Sequence, residues 1–307
     1  MVYEHVWRRP IPTDALVFDS CTYDLEWDGL LTKEDSARTS PVLPTLDHAK
    51  HLIELVRFHC GELFHLWDDK TFTSNLHAFY AQDPPIKDGR EIWYVQFLLI
   101  LSLGKAFSMK KSQGTQPAGA NFFIEALRAL PQTIFLLSDP LLAAEVLCCL
   151  ALYSQCIDYR MMAHNYVRRY KAAHQIYHVS LTAHKIGQAL RISLGHGMHT
   201  DMPSQVLGSA AVERCKRIFW TIYTLDREMT SLVGSPQCMF EEDVHSGLPE
   251  FAEKTQRQGT LATRIRLSIA IARINRSECH SKTPSTPIAD RFQRYMEQTA
   301  SSTAGFS

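Results

Sequence analysis

Apolar positions along this chain return every three or four residues, the spacing of one helix face, and nowhere every second residue as a half-buried strand requires. The clearest run lies late in the sequence. Val212, Cys215, Phe219, Ile222, Asp226, Met229 and Val233 alternate spacings of three and four, and Ile218, Leu225 and Leu232 widen the stripe. Glu213 and Arg217 stand four apart at its start, where they can pair on the solvent side. Gly234 and Pro236 then predict a stop, because glycine tolerates left-handed backbone and proline cannot continue the ladder. An acidic turn, Glu241-Glu242-Asp243, follows and closes on Leu248-Pro249. One member of the stripe is charged. Asp226 falls on the same arc as Phe219, Ile222 and Met229, which predicts a buried carboxylate paired with a nearby Arg191 or Arg227, in a structural rather than catalytic role.

Upstream, residues 1–44 mix polarity with Pro10, Pro12, Pro41 and Pro44 and predict an irregular segment. A helix is expected from near Thr45, with Leu46, Ala49, Ile53, Val56, Cys60 and Leu63 on one face. Leu76, Phe79 and Tyr80 mark a short helix that Pro84-Pro85 ends. Trp93 to Phe107 is apolar nearly all round, the signature of a central helix. A Gly, Ser and Gln-rich loop follows at 110–119, then a helix carrying Phe122, Phe123, Ala126, Leu127 and Leu130. Asp139-Pro140 supplies a cap and a first-turn proline that open a helix over Leu141–Ile157. The fold class is therefore all-α: a multi-helix bundle or array of antiparallel helices with irregular ends.

A chain of 307 residues can bury a large core in one domain or two. Lys+Arg and Asp+Glu balance at 32 each, so no net field draws it to nucleic acid or to a membrane surface. Apolar runs such as Phe97 to Leu101 are far too short to span a bilayer, and Arg8, Arg9 and Pro10 precede no apolar signal segment. An intracellular chain is the expectation. The eight cysteines form no Cys-x-x-Cys, and Cys148, Cys149 and Cys215 fall in apolar helical patterns, which predicts reduced core thiols rather than disulfides or a zinc cluster.

Candidate chemistry is sparse. No phosphate-cradling glycine loop, nucleophile elbow or His-Glu-x-x-His occurs. His174 and His178 have helical metal spacing but no third ligand, while His196 and His199 suit a helix end. An α-helical, terpene-cyclase-like enzyme would need carboxylates for Mg²⁺. Only Asp68-Asp69 and the 241–243 turn cluster them, and neither has a second carboxylate one turn on. A ligand-free helical scaffold is the other alternative; an internal apolar cavity with a few polar groups would favour a sensor over it.

The late run resembles the fungal-specific transcription factor domain, the regulatory middle region of fungal zinc-cluster activators. The likeness rests on Lys216-Arg217, Phe219-Trp220, Leu225-Asp226-Arg227, Gly234-Ser235-Pro236, Asp243-Val244 and Leu248-Pro249, in that order. Other elements agree: Tyr23 to Leu30 as the preceding linker, Phe64-His65-Leu66-Trp67-Asp68-Asp69 with Thr71-Phe72, Ser138 to Leu142, Leu147 to Tyr153, and Ile186 to Arg191 leading to Gly197-Met198-His199. The resemblance covers about residues 20–275 and implies a regulatory domain over 45–275. It implies a nuclear location, a small-molecule effector or protein partner, and no catalysis. It marks Arg191, Gly197, His199, Arg217, Trp220, Asp226, Arg227, Gly234, Pro236, Asp243, Leu248 and Pro249 as motif residues. The family's DNA-reading zinc module is not in this chain, so no cofactor is expected here and DNA is reached only indirectly.

Two stretches depart from the family. Val167–Lys185, basic and histidine-bearing, interrupts the passage from Tyr166 to Ile186; it is either a functional insertion or, the favoured reading, a retained intron that protrudes between core helices. Beyond Asn275 the chain turns Ser/Thr/Pro-rich where a longer regulatory region should continue, which predicts a disordered tail over 276–307 and a truncated regulator.

Overall fold

The computed structural model describes residues 41–81, 92–108, 116–130, 138–156, 176–233, 238–250 and 256–280, and every described element is helix, turn or extended connection. In order, α1 is Leu46–Cys60, α2 Asp69–Tyr80, α3 Ile92–Phe107, α4 Ala120–Ala129, α5 Pro140–Cys156, α6 Ile176–Gly195, α7 Ser204–Leu207, α8 Ser209–Val233 and α9 Gln256–His280. All of these up to Ser268 lie in one compact unit, Thr22–Ser268; the end of α9 falls in a second. The all-α expectation holds.

Hydrophobic burial decides the arrangement of the larger unit. Every residue of α3 from Trp93 to Gly104 and of α5 from Ala143 to Ser154 is buried, so these two apolar helices form the centre. Around them α1 and α4 pack on α3, α5 packs on α3, and α6 and α8 pack on α5 and on each other. Gly104 lets α1 approach: a Cβ there would stand 2.7 Å from both the Cβ and the carbonyl oxygen of Leu52. An aromatic cluster seals α2 against α3, with Trp93 and Phe97 stacked at 5.5 Å and Phe79 against both.

The local signals act as the residue types require. Asp139 caps α5 by accepting the Leu142 N–H at 3.1 Å, and Asp68 caps α2 by accepting from the Thr71 N–H and hydroxyl at 3.1 and 2.8 Å. In α1 the buried set is Ala49, Leu52, Ile53, Val56 and Cys60, while Leu46 and Leu63 are only half-buried. The stripe expected for α8 proves too narrow. From Ile218 to Arg227 every residue is buried, including Thr221 and Thr224. Their hydroxyls donate back to the carbonyls of Arg217 and Trp220 at 2.8 and 3.0 Å, so residues that count as polar in the sequence satisfy themselves inside the core.

Of the stretch read as an insertion, residues 176–185 form the first half of α6 and 167–175 lie outside the described residues, as does His174. The last helix passes the expected boundary at 276 and runs to His280; residues 281–307, the N-terminal 1–40, and Gly234 and Pro236 are also outside. No described helix is long and apolar enough to cross a membrane.

Candidate functional site

Five of the motif residues, Gly197, His199, Arg217, Trp220 and Arg227, converge on one task. After α8 the chain returns as an extended strap, 238–250, broken by a single 3-10 turn at Glu241–Asp243. Backbone that pairs with no helix or strand must find its hydrogen bonds elsewhere. Here side chains of α8 provide them. Arg227 Nη2 donates to the Met239 carbonyl, Trp220 Nε1 donates to the Gly247 carbonyl at 3.0 Å, and Arg217 Nη2 reaches the Glu250 carbonyl at 3.5 Å. Glu213 Oε2 accepts the Glu250 N–H at 2.6 Å and Oε1 takes the Lys216 ammonium at 2.9 Å. As strap numbers rise from 239 to 250, their α8 partners fall from 227 to 213, so the strap runs back along the helix in the opposite direction.

The turn after α6 completes the clamp. Gly197 takes φ of +70°, donating its N–H to Leu194 O at 3.0 Å while the Met198 N–H bonds Ser193 O at 3.0 Å, the paired bonds of a glycine helix stop. Buried Met198 then anchors the turn, and the next carbonyl, that of His199, accepts the N–H groups of both His245 and Ser246 at 2.9 and 2.8 Å. The expectation that His196 and His199 sit at a helix end is met; His196 Nδ1 bonds the Ile192 carbonyl at 2.8 Å. Pro249 is buried, while Leu248 and Asp243 are exposed.

Asp226 and Arg227 share the buried end of this clamp, 3% and 2% exposed. Arg227 is the predicted partner, but the pair is loose: Nη1 to Oδ2 measures 3.9 Å. The guanidinium also lies over the Tyr223 ring at 4.6 Å, and its Nε and Nη1 have no hydrogen-bond acceptor. Burial pushes the Asp226 carboxyl above its ordinary range against the pull of Arg227. The other predicted partner, Arg191, is exposed.

A second buried charge centre escaped the sequence reading. Glu145, 1% exposed, accepts from Arg214 Nε and Nη2 at 3.0 and 3.1 Å, from Gln96 Nε2 at 3.1 Å and from His65 Nε2 at 3.2 Å. Gln96 gives its other proton to Leu66 O at 2.9 Å, and the His65 N–H donates to Thr221 Oγ1 at 2.8 Å. Burial alone would raise the Glu145 carboxyl, yet His65 and Arg214 together hold it below its ordinary range. This hub ties α3, α5, α8 and the 63–68 connection together. A signal for it was present: Glu145 is the only charge in α5, and Gln96 the lone amide in apolar α3.

The remaining chemical candidates are consumed or unsupported. Asp68 caps a helix, and Asp69 accepts from Arg57 and from Trp67 Nε1 at 2.7 and 2.8 Å. Among the described residues no three His, Cys, Asp or Glu side chains converge as metal ligands. Burial pushes the Cys148, Cys149 and Cys215 thiols up, away from the thiolate a metal needs. What the geometry does hold is a series of motif side chains closing one strap on one helix. Residues 56–289 match the fungal specific transcription factor domain. The chain belongs to that family. It is 22% identical over 217 residues to Activator of stress genes 1 of Saccharomyces cerevisiae, covering 68% of this chain and 20% of that protein. It is 21% identical over 238 residues to an uncharacterized transcriptional regulatory protein of Schizosaccharomyces pombe, covering 76% and 27%. Over 64 residues it is 33% identical to Transcriptional activator protein acu-15 of Neurospora crassa, covering 20% and 7%. The chain thus spans between 7% and 27% of these relatives' lengths. No solved structure matches it. In this member of the fungal transcription factor family, Arg217, Trp220, Arg227, Gly197 and His199 are the parts of a strap clamp, and the family is one of transcription regulators.

Proposed function

We propose that this chain is the regulatory middle domain of a zinc-cluster-type transcription regulator, acting in the nucleus and without catalysis. The observation that carries the reading is that three of the family's motif residues, Arg217, Trp220 and Arg227, within a match over 56–289, fasten the 238–250 strap to α8. In this reading the fastened strap exchanges with a released state, and a small-molecule effector or protein partner that binds one of them better shifts the balance. Zinc belongs to the family's separate DNA-reading module, since the eight cysteines here include no Cys-x-x-Cys. With formal net charge +0 the chain neutralises few phosphates, so its own duplex binding is weak, on the order of 10⁻⁴–10⁻⁶ M, and steep in salt.

The test joins the full chain to an unrelated DNA-binding module upstream of a reporter gene in a fungal host. Reporter output several-fold above or below the module alone is expected. Output equal to the module alone, at equal fusion-protein levels, overturns the regulatory reading. Sequence-selective nanomolar DNA binding by the chain alone, unaffected by a chelator, overturns the indirect route to DNA.

A further inference from the structure

Arginine recognises anions through a fork. Nε and Nη2 point protons the same way, as do Nη1 and Nη2, so each pair matches two oxygens of a carboxylate or phosphate. Arg214 uses the first fork in full, with Nε and Nη2 on the two oxygens of Glu145. Arg227, 2% exposed, completes neither. Its Nη2, the nitrogen common to both forks, donates to one neutral oxygen, the Met239 carbonyl of the strap, while Nε and Nη1 have no acceptor. Asp226 does not fill the gap, since its Oδ2 stands 3.9 Å from Nη1. The Tyr223 ring, 4.6 Å from the guanidinium carbon, covers a face of the group and not an edge. Buried charged donors are ordinarily satisfied, so two open positions on one guanidinium need a reason.

We infer that Arg227 is the receptor for the anionic group of a small-molecule effector, a carboxylate or phosphate whose two oxygens take the Nε–Nη2 fork in place of the Met239 carbonyl and so release the strap. The exchange favours the anion once it is inside, because two bonds to a charged acceptor replace one bond to a neutral oxygen. While the strap is fastened Nη2 is occupied, so the anion binds the released state selectively, as an effector must in order to shift a population. The surrounding charge agrees. Burial and Asp226 push the Cys238 thiol up while Arg191 and Arg227 pull it down, so a second guanidinium, exposed on α6, acts on the same strap residue. Two guanidiniums against one carboxylate leave this end of the strap cationic. Burial sets the size of the occupant. With Tyr223 and Met239 also buried, the site admits a terminal anionic group and not the surface of a folded partner. The inference rests on the regulatory reading for its use as a switch, and names the effector's chemistry.

Hydrogen exchange at the strap amides from Asp243 to Ser246, measured on the full chain, reads release. The probes are sodium acetate and sodium phosphate, each against sodium chloride at equal ionic strength. At least one of the two anions should speed exchange about fivefold and saturate with a midpoint on the order of 10 mM. Acetate alone assigns a carboxylate effector, and phosphate alone a phosphate. A general salt effect has the opposite sign, because phosphate is excluded from protein surfaces and strengthens burial. Arg227→Lys, a charge without a fork, should lose the response. Arg191→Gln, a solvent-facing change, should keep it with a midpoint about threefold higher. Circular dichroism checks that each variant is folded. A response no larger than that of chloride overturns the inference, as does one that survives in folded Arg227→Lys. If that variant does not fold, an unshifted midpoint in Arg191→Gln overturns it instead. A silent reporter with anion-driven release intact strikes at the regulatory reading alone, and the reverse result strikes at the Arg227 site alone.

Discussion

Two buried carboxylate–arginine pairs stand among the described residues, and they are built to opposite specifications. At Glu145 the carboxylate receives four N–H donations, two of them from the fork of one guanidinium, and its carboxyl is held below the ordinary range. At Asp226 the arginine is the next residue in the same helix, the closest approach is 3.9 Å, two guanidinium nitrogens lack acceptors, and burial wins over pairing. A buried charge that is fully hydrogen-bonded is a cross-link; one that is not is a cost the fold bears for some other reason. The first pair sits between core helices. The second sits where the strap is fastened, and the Met239 carbonyl is part of what compensates Arg227. The difference teaches where this fold is set and where it is poised: releasing the strap changes little at Glu145 and much at Arg227.

The sharpest way to break the comparison is Glu145→Gln. It leaves Arg214 and His65 facing an amide, and removing one partner from a buried ion pair costs about 3–5 kcal/mol. Urea denaturation should give a loss of that order. The acid limb gives a second reading. Because the folded carboxyl lies below its unfolded value, its stabilisation is present above the unfolded pKa and lost as pH falls through the folded one. The gap between wild type and variant should therefore narrow in acid. A constant gap would mean that Glu145 acts by shape rather than by charge.

Arg227→Met tests the other pair. The loss at neutral pH should be smaller, roughly 2–3 kcal/mol, because Asp226 can take up a proton once its cation is gone. Here the sign is reversed. The folded carboxyl of Asp226 already lies above its unfolded value, so its stabilisation is present below the unfolded pKa and lost as pH rises through the folded one. The variant should recover stability as the pH is lowered toward 5, whereas Glu145→Gln converges on wild type only at more acid pH, below the ordinary carboxylate range, and there because wild type falls. Hydrogen exchange should in addition quicken at strap amides, His245 and Ser246 among them, before global unfolding.

Trp220→Phe separates the strap from the charges. It removes the indole N–H bond to the Gly247 carbonyl and part of a buried ring. About 1 kcal/mol for the hydrogen bond and a similar amount for lost packing are expected, near 2 in total. Protease cutting between 238 and 250 should rise more than global stability falls. An unchanged cutting rate would show that the strap does not depend on the indole.

Much of this architecture was legible beforehand because helices announce themselves through apolar spacing and caps. Asp139-Pro140 opened α5 as its residue types dictate, and Trp93–Phe107 was central because it is apolar nearly all round. The burial of Asp226 followed from its place on an apolar arc. Two things were not legible for physical reasons. The helix spacing treats threonine as polar, so the full burial of α8 was hidden by hydroxyls that bond their own backbone. The Glu145 hub joins residues 65, 96, 145 and 214, whose meeting depends on how four elements pack and not on any local pattern. Nor could motif order reveal that Arg217, Trp220 and Arg227 share a partner, since their strap contacts lie 33, 27 and 12 residues away and pair through backbone atoms that carry no sequence signature.

The smallest expected effect, and the most specific, is Gly197→Ala. The glycine ends α6 at φ of +70°, a conformation that an L side chain adopts at a penalty of about 1 kcal/mol. Space is not the issue: the nearest atom to an added Cβ, outside its neighbours, is Thr200 Oγ1 at 3.6 Å, an ordinary contact. The penalty is therefore conformational and acts on the turn alone, which carries the His199 carbonyl toward the strap. Relaxing the turn toward negative φ would move that carbonyl and weaken both bonds from His245 and Ser246. A loss near 1 kcal/mol with faster exchange at those two amides is the expected result. Substituting Asn instead, which tolerates left-handed backbone better than Ala, should recover part of the loss. If Ala and Asn prove equally harmful, the requirement at 197 is for the absence of a side chain, not for positive φ, and the clamp's geometry at His199 is set by something other than this turn.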